Sequence, residues 1–195
     1  MGLNLFVHNL GFVLSALLSM VLAVVVFVRG KRKLPNILFA ATSFTFIAYV
    51  IFYLLGVNEP DPYRAQYYLN FTLILILTVS FNAHLAFAMF NKVREKKNVL
   101  QLMYASGIAL ILFFSWNPER YLALPDTYNY LYNFYRPGTY HWVFTLYFFI
   151  VILYFFSTVY GWYRKAEPGE KNRMKYFLVA FGWAYALAAV TFANI

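Results

Sequence analysis

The sequence predicts an all-α protein: a polytopic transmembrane helix bundle of about six spans, with its N-terminus outside. Three observations predict it. Thirteen of the sixteen Lys and Arg residues fall in three short clusters: Arg29/Lys31/Arg32/Lys33, Lys92/Arg94/Lys96/Lys97 and Arg164/Lys165/Lys171/Arg173/Lys175. Between the clusters lie charge-free apolar runs long enough for the roughly 20 helical residues that cross a bilayer. The composition is 63% hydrophobic, 23% aromatic and only 12% charged, against about 25% charged in soluble domains.

The runs are Leu5–Val28, Leu34–Gly56, Ala65–Phe90, Leu100–Phe114, Thr139–Tyr163 and Tyr176–Ile195, and none contains Asp, Glu, Lys or Arg. Backbone polar groups in lipid must be satisfied within the segment, so each run is expected to be a helix. The fourth is the shortest, and Asn98 and Ser115–Asn117 can extend it. The basic clusters follow the first, third and fifth runs, which assigns those loops to the cytoplasm. The opposite side carries Arg64, Arg120 and Arg136 against Glu59, Asp61, Glu119 and Asp126. Trp116, Trp142 and Trp162 fall at span ends, as in an interfacial aromatic belt. The first run is longer than a signal-peptide core and precedes its positive charges, so it is expected to stay in the cell membrane.

Residues 115–138 form the one sizeable extramembrane segment, a Tyr-rich outer loop between spans four and five. Pro125-Asp126 is a turn signal, and Tyr128, Tyr130 and Tyr132 alternate with the period of one strand face. A short β-hairpin and a structureless aromatic loop packed on the helix ends both fit.

Several chemistries have no residues to carry them. Cysteine is absent, which excludes disulfides, thiolate metal sites and a cysteine nucleophile. The spans offer no carboxylate to complete a metal site around His8, His84 or His141. There is no intramembrane acid of the kind proton-coupled transporters use, and no nucleophile–base constellation. The pI near 9.6 comes from loop clusters that positive-inside bias and anionic headgroups account for, so no nucleic-acid partner is expected. No catalytic residue, metal or cofactor is expected; the lipid bilayer is an expected partner.

The third span is the most polar, with Asn70, Thr72, Thr78, Ser80, Asn82 and His84. His84 lies about 12 Å from the basic end at 1.5 Å per residue, and Ser80 shares its helical face. Polar groups in a membrane face the bundle, either as interhelical hydrogen bonds of about 0.6 kcal/mol each or as ligand-contact and coupling elements. Gly11, Ser15, Ser19 and Ala23 recur every fourth residue in the first helix, as do Ala180, Ala184 and Ala188 in the sixth. Such seams allow close packing within the bundle or between the protomers of a homodimer.

The order of elements resembles the N-terminal seven-transmembrane region of bacterial histidine kinases and related sensor proteins. Three stretches carry the resemblance: Phe12–Val28 with its basic cluster leading into Asn36-Ile-Leu-Phe39; Arg136-Pro-Gly138 with Tyr140–Trp142 and Tyr147; and Tyr163–Tyr176 leading into a small-residue helix. The resemblance covers essentially the whole chain, through loose and largely hydrophobic motifs. It implies a sensory input module, without catalysis of its own, that passes a signal to downstream cytoplasmic kinase or cyclase domains. It also implies a seventh helix, which is expected to follow Ile195. On this reading Tyr128, Tyr130, Tyr132, Tyr135 and Trp142 are candidates for a small-ligand site at the outer face. Asn82, His84 and Ser80 are candidates for coupling within the bundle. An anchoring or oligomerisation module and a small-molecule transporter are the alternatives.

Overall fold

A computed structural model describes the backbone of residues 2–30, 33–128 and 131–193, and the side chains of these except residues 2, 127, 128 and 187–193. Eight helices and one two-stranded sheet follow in the order α1 (Gly2–Arg29), α2 (Leu34–Asn58), α3 (Pro62–Asn70), α4 (Leu75–Met89), α5 (Lys97–Trp116), α6 (Pro118–Tyr121), β1 (Leu122–Tyr128), β2 (Leu131–Pro137), α7 (His141–Lys165) and α8 (Pro168–Ala193). A four-residue 3-10 stretch, Phe71–Ile74, joins α3 to α4 into one continuous element. Among the described residues, five helical elements are long and apolar enough to cross a membrane: Leu3–Arg29, Leu34–Asn58, Pro62–Met89, Lys97–Trp116 and His141–Lys165. The sixth expected span falls in α8, where the side chains that would decide the matter lie outside the described residues.

Helix ends differ from the sequence expectation for local chemical reasons. The third element begins at Pro62, ahead of Ala65, because Asp61 caps it by accepting from Tyr63 N at 2.8 Å and Pro62 is set for a first turn. The fourth runs from Lys97 to Trp116, beyond both ends of Leu100–Phe114, since a basic side chain at a span end reaches back toward water. α8 begins at Pro168 and carries Glu170, Lys171, Arg173 and Lys175 in its first turns.

The chain forms two compact units, Met1–Phe144 and Thr145–Ile195. In the first, α2 is the hub, packing on α1, α3, α4 and β2. α1 meets α2 along a stripe of Leu5, His8, Asn9, Phe12, Ala16, Ser19, Ala23 and Val26, of which only Ala23 is fully buried. The small-residue seam therefore splits: Ser19 and Ala23 face α2, whereas Gly11 and Ser15 are exposed. The core is carried by the third element, where Leu69, Ile76, Val79, Ala83, Leu85, Ala86 and Phe87 are at most 3% exposed. Between α2 and α4 the Thr78 hydroxyl donates to Thr45 Oγ1 at 2.8 Å. In the second unit Phe148, Val151, Ile152, Phe155 and Val159 of α7 are buried on one face, and Phe155 meets Phe177 and Tyr185 of α8. Ala180 and Ala184 are exposed, and Ala188 lies outside the described side chains.

Of the two forms open to residues 115–138, the hairpin is the one adopted, as an antiparallel pair with Leu122 opposite Pro137 and Tyr128 opposite Leu131. The turn is not at Pro125-Asp126. Pro125 sits inside β1, where the register shifts between Ala123 and Asp126. A proline has no N–H for the ladder, and a bulge is a place where none is required.

Candidate functional site: a buried tyrosine cluster under the hairpin

The hairpin is keyed to the helices by specific polar contacts. Gln66 Nε2 of α3 donates to the Leu122 carbonyl at 2.8 Å, and Asn133 Nδ2 of β2 donates to the Glu59 carbonyl in the α2–α3 turn. At the opposite corner the Tyr121 carbonyl accepts from Gly138 N at 2.8 Å and from His141 Nδ1 at 3.2 Å. A carbonyl can only accept, so His141 carries a proton on Nδ1. Tyr140 N donates to the Arg120 carbonyl at 2.8 Å. Gly138 is required by close approach: a Cβ there would stand 2.4 Å from the Glu119 carbonyl oxygen.

These anchors bury tyrosines from separate elements. Tyr121, at the end of α6, is 3% exposed; its hydroxyl lies 3.3 Å from Thr72 Oγ1, and its ring stacks on His141 with centroids 5.3 Å apart. Thr72 belongs to the 3-10 stretch, and its hydroxyl donates back to the Leu69 carbonyl at 2.6 Å. Tyr53 of α2 stacks on Tyr49 at 5.8 Å and meets Tyr135 of β2 edge-on at 6.4 Å. The Tyr53 hydroxyl is 3.3 Å from His8 Nε2 of α1, beside reciprocal amide bonds between Asn9 and Asn58 at 2.8 and 3.2 Å. Burial pushes the Tyr121 and Tyr135 phenols above the ordinary tyrosine value. The neighbouring tyrosines add to the effect on Tyr135, because ionising one raises the cost of ionising the next. Tyr135 thus lies within electrostatic reach of Tyr49, Tyr53 and Tyr121.

The sequence candidates fall in different places. Strand alternation in β2 buries Leu131, Asn133 and Tyr135 and turns Tyr132 and Arg136 outward, so Tyr132 and Tyr135 occupy opposite faces. Tyr130 and the Tyr128 side chain lie outside the described residues. Trp142 is exposed at the start of α7. Ser80 and Asn82 are buried, and Ser80 Oγ donates to the Ile76 carbonyl of its own helix at 3.2 Å. His84 Nδ1 is 3.0 Å from the Tyr104 hydroxyl on α5, a link between two spans. Sequence reasoning did not single out Tyr49, Tyr53, Tyr104 or Tyr121. Among 18 tyrosines their one distinguishing mark was position near a polar span or a turn. Among the described residues, no three His, Asp or Glu gather as a metal site would need.

A largely helical architecture with five helical elements long and apolar enough to cross a membrane, among the described residues, suggests a membrane protein. Compared with family models, with curated proteins and with solved structures, the chain finds no match.

Proposed function

We propose that this chain is the sensory input module of a bacterial signalling protein, lying in the cell membrane with its N-terminus and hairpin outside. A small ligand acts at the Tyr49/Tyr53/Tyr121/Tyr135 cluster and favours one arrangement of the helices over another. A ligand moves such an equilibrium only by binding one state better, so its site must touch the elements that move. One observation carries the reading: the cluster joins the hairpin, through Tyr135, to α2, to α1 through Tyr53 and His8, and to the 3-10 stretch through Tyr121 and Thr72. A 3-10 segment within a long helix is a common hinge. The His84–Tyr104 contact extends the connection from α4 to α5. Output passes to cytoplasmic domains beyond the helices, and this chain supplies no catalysis.

The absence of native cysteine allows a direct test. Tyr132→Cys and Lys97→Cys chains in intact cells are treated with a membrane-impermeant maleimide. Tyr132→Cys labels at once and Lys97→Cys only after permeabilisation; the reverse pattern overturns the orientation. A chain with both cysteines spin-labelled is then exposed to a deproteinised growth-medium extract. The extract shifts the label separation, and Tyr135→Phe abolishes the shift. An unchanged separation overturns the sensory reading and favours an anchoring module.

A further inference from the structure

Two basic clusters that are far apart in sequence stand at the same end of the first unit. The Thr78–Thr45 hydrogen bond sets the level of α4 against antiparallel α2. Leu34 and Met89 lie equally far from it, roughly 16 Å at about 1.5 Å per residue. Lys33 and the α4–α5 turn therefore stand at the same height. Asn36 Nδ2 donates to the Gly30 carbonyl at 2.6 Å, tying the end of α1 to the first turn of α2. The α4–α5 turn is shaped by Asn91, in the left-handed region at φ 56°, and by Lys92 N donating to the Phe87 carbonyl at 2.8 Å.

Charge at this rim is unbalanced. Its one acid, Glu95, is taken by Lys92 at 3.3 Å and Lys96 at 3.9 Å. Arg29, Lys33, Arg94 and Lys97 are exposed, and none makes an ion pair among the described residues. The other end of the same unit is different: Arg64 pairs with Asp61, Arg136 pairs with Asp126, and Arg120 lies over the Tyr140 ring. The rim terminates helices apolar enough to cross a bilayer, which sets its cations at the depth of lipid phosphates.

We propose that this rim binds anionic phospholipid headgroups, with Arg94 and Lys97 holding phosphate at the α4–α5 turn and Arg29 and Lys33 holding it at the α1–α2 turn. The guanidinium of Arg94 offers paired donors to phosphate oxygens, while the lysines act as mobile point charges. The proposal rests on the helices crossing a bilayer and is independent of the sensory reading.

The test uses the full chain in nanodiscs of phosphatidylcholine alone or mixed with phosphatidylglycerol, reading thermal unfolding. Phosphatidylglycerol raises the Tm, and added salt shrinks the increase, as screening requires. The Arg94→Gln/Lys97→Gln and Arg29→Gln/Lys33→Gln chains each lose most of the increase, whereas Arg64→Gln/Arg136→Gln keeps it. Inorganic phosphate added to phosphatidylcholine discs produces no increase. An increase that survives in both rim variants, or one that inorganic phosphate fully reproduces, overturns the site.

Discussion

The first and third membrane elements are near opposites. α1 is the most apolar of the five candidate spans, yet only 6% of its most apolar stretch is buried in the protein; Pro62–Met89 is among the least apolar, yet 61% of its stretch is buried. In a water-soluble protein that order would be reversed. A bilayer is as apolar as a leucine side chain, so exposed apolar surface costs nothing there, and the polar, small-residue helix takes the centre. Hydropathy in this chain thus does not mark the core, which is marked instead by Thr72, Thr78, Ser80, Asn82 and the alanines at 83, 86 and 88.

The contrast can be broken by truncation. Phe87 in α4 is 0% exposed and Leu17 in α1 is 53% exposed. Phe87→Ala is expected to cost about 3 kcal/mol through lost packing and a cavity, and Leu17→Ala close to nothing, read by denaturant titration in detergent. Equal effects would mean that α1 has a protein neighbour on its exposed face.

Glycines sharpen it next. A Cβ on Gly56 of α2 would meet Leu69 of α3 at 2.5 Å, while one on Gly11 of α1 meets nothing within 4 Å. Gly56→Ala should therefore destabilise by about 1–2 kcal/mol, because packing interiors resist added volume. Gly11→Ala should stabilise by roughly 0.5 kcal/mol, through helix propensity alone. Thermal unfolding of both variants in one detergent checks the opposite signs.

The smallest effect concerns pH and the hairpin end. Tyr121 and Tyr135 hold their protons in the folded state above the ordinary value near 10, chiefly because they are buried. Above about pH 10 the unfolded chain releases protons that the folded chain keeps, so stability falls as pH rises from there. Below that pH both states are protonated and the two groups contribute no pH dependence. Tyr135→Phe should flatten the alkaline decline without moving its onset, as followed by unfolding titrations on either side of pH 10.

Much of the helical layout was legible residue by residue. Charge-free runs between Arg29–Lys33, Lys92–Lys97 and Arg164–Lys175 located the first five apolar helices to within about three residues of their observed ends. α8, by contrast, begins eight residues before the expected Tyr176, because its first turns carry Glu170, Lys171, Arg173 and Lys175, charges that a run defined by their absence leaves out. Strand alternation through Tyr132 left a hairpin open, and β2 adopted it. The turn was misplaced because a proline inside a strand bulge reads locally like one in a turn. The tyrosine cluster was not legible: Tyr53 and Tyr121 lie far apart in sequence and among many other aromatics, and nothing local distinguishes a buried phenol from one at an interface.

What the sequence by itself determined is a largely helical chain with apolar helices long enough to cross a membrane. Moving a charge into lipid is penalised one residue at a time, so the pattern along the chain suffices. What only the tertiary structure decided is which faces meet: Tyr135 on Tyr53, Thr78 on Thr45, Lys33 level with the Lys92–Lys97 turn. Helices that are apolar all round carry no contrast between the side facing lipid and the side facing protein, so their partners are chosen by packing and by a few hydrogen bonds.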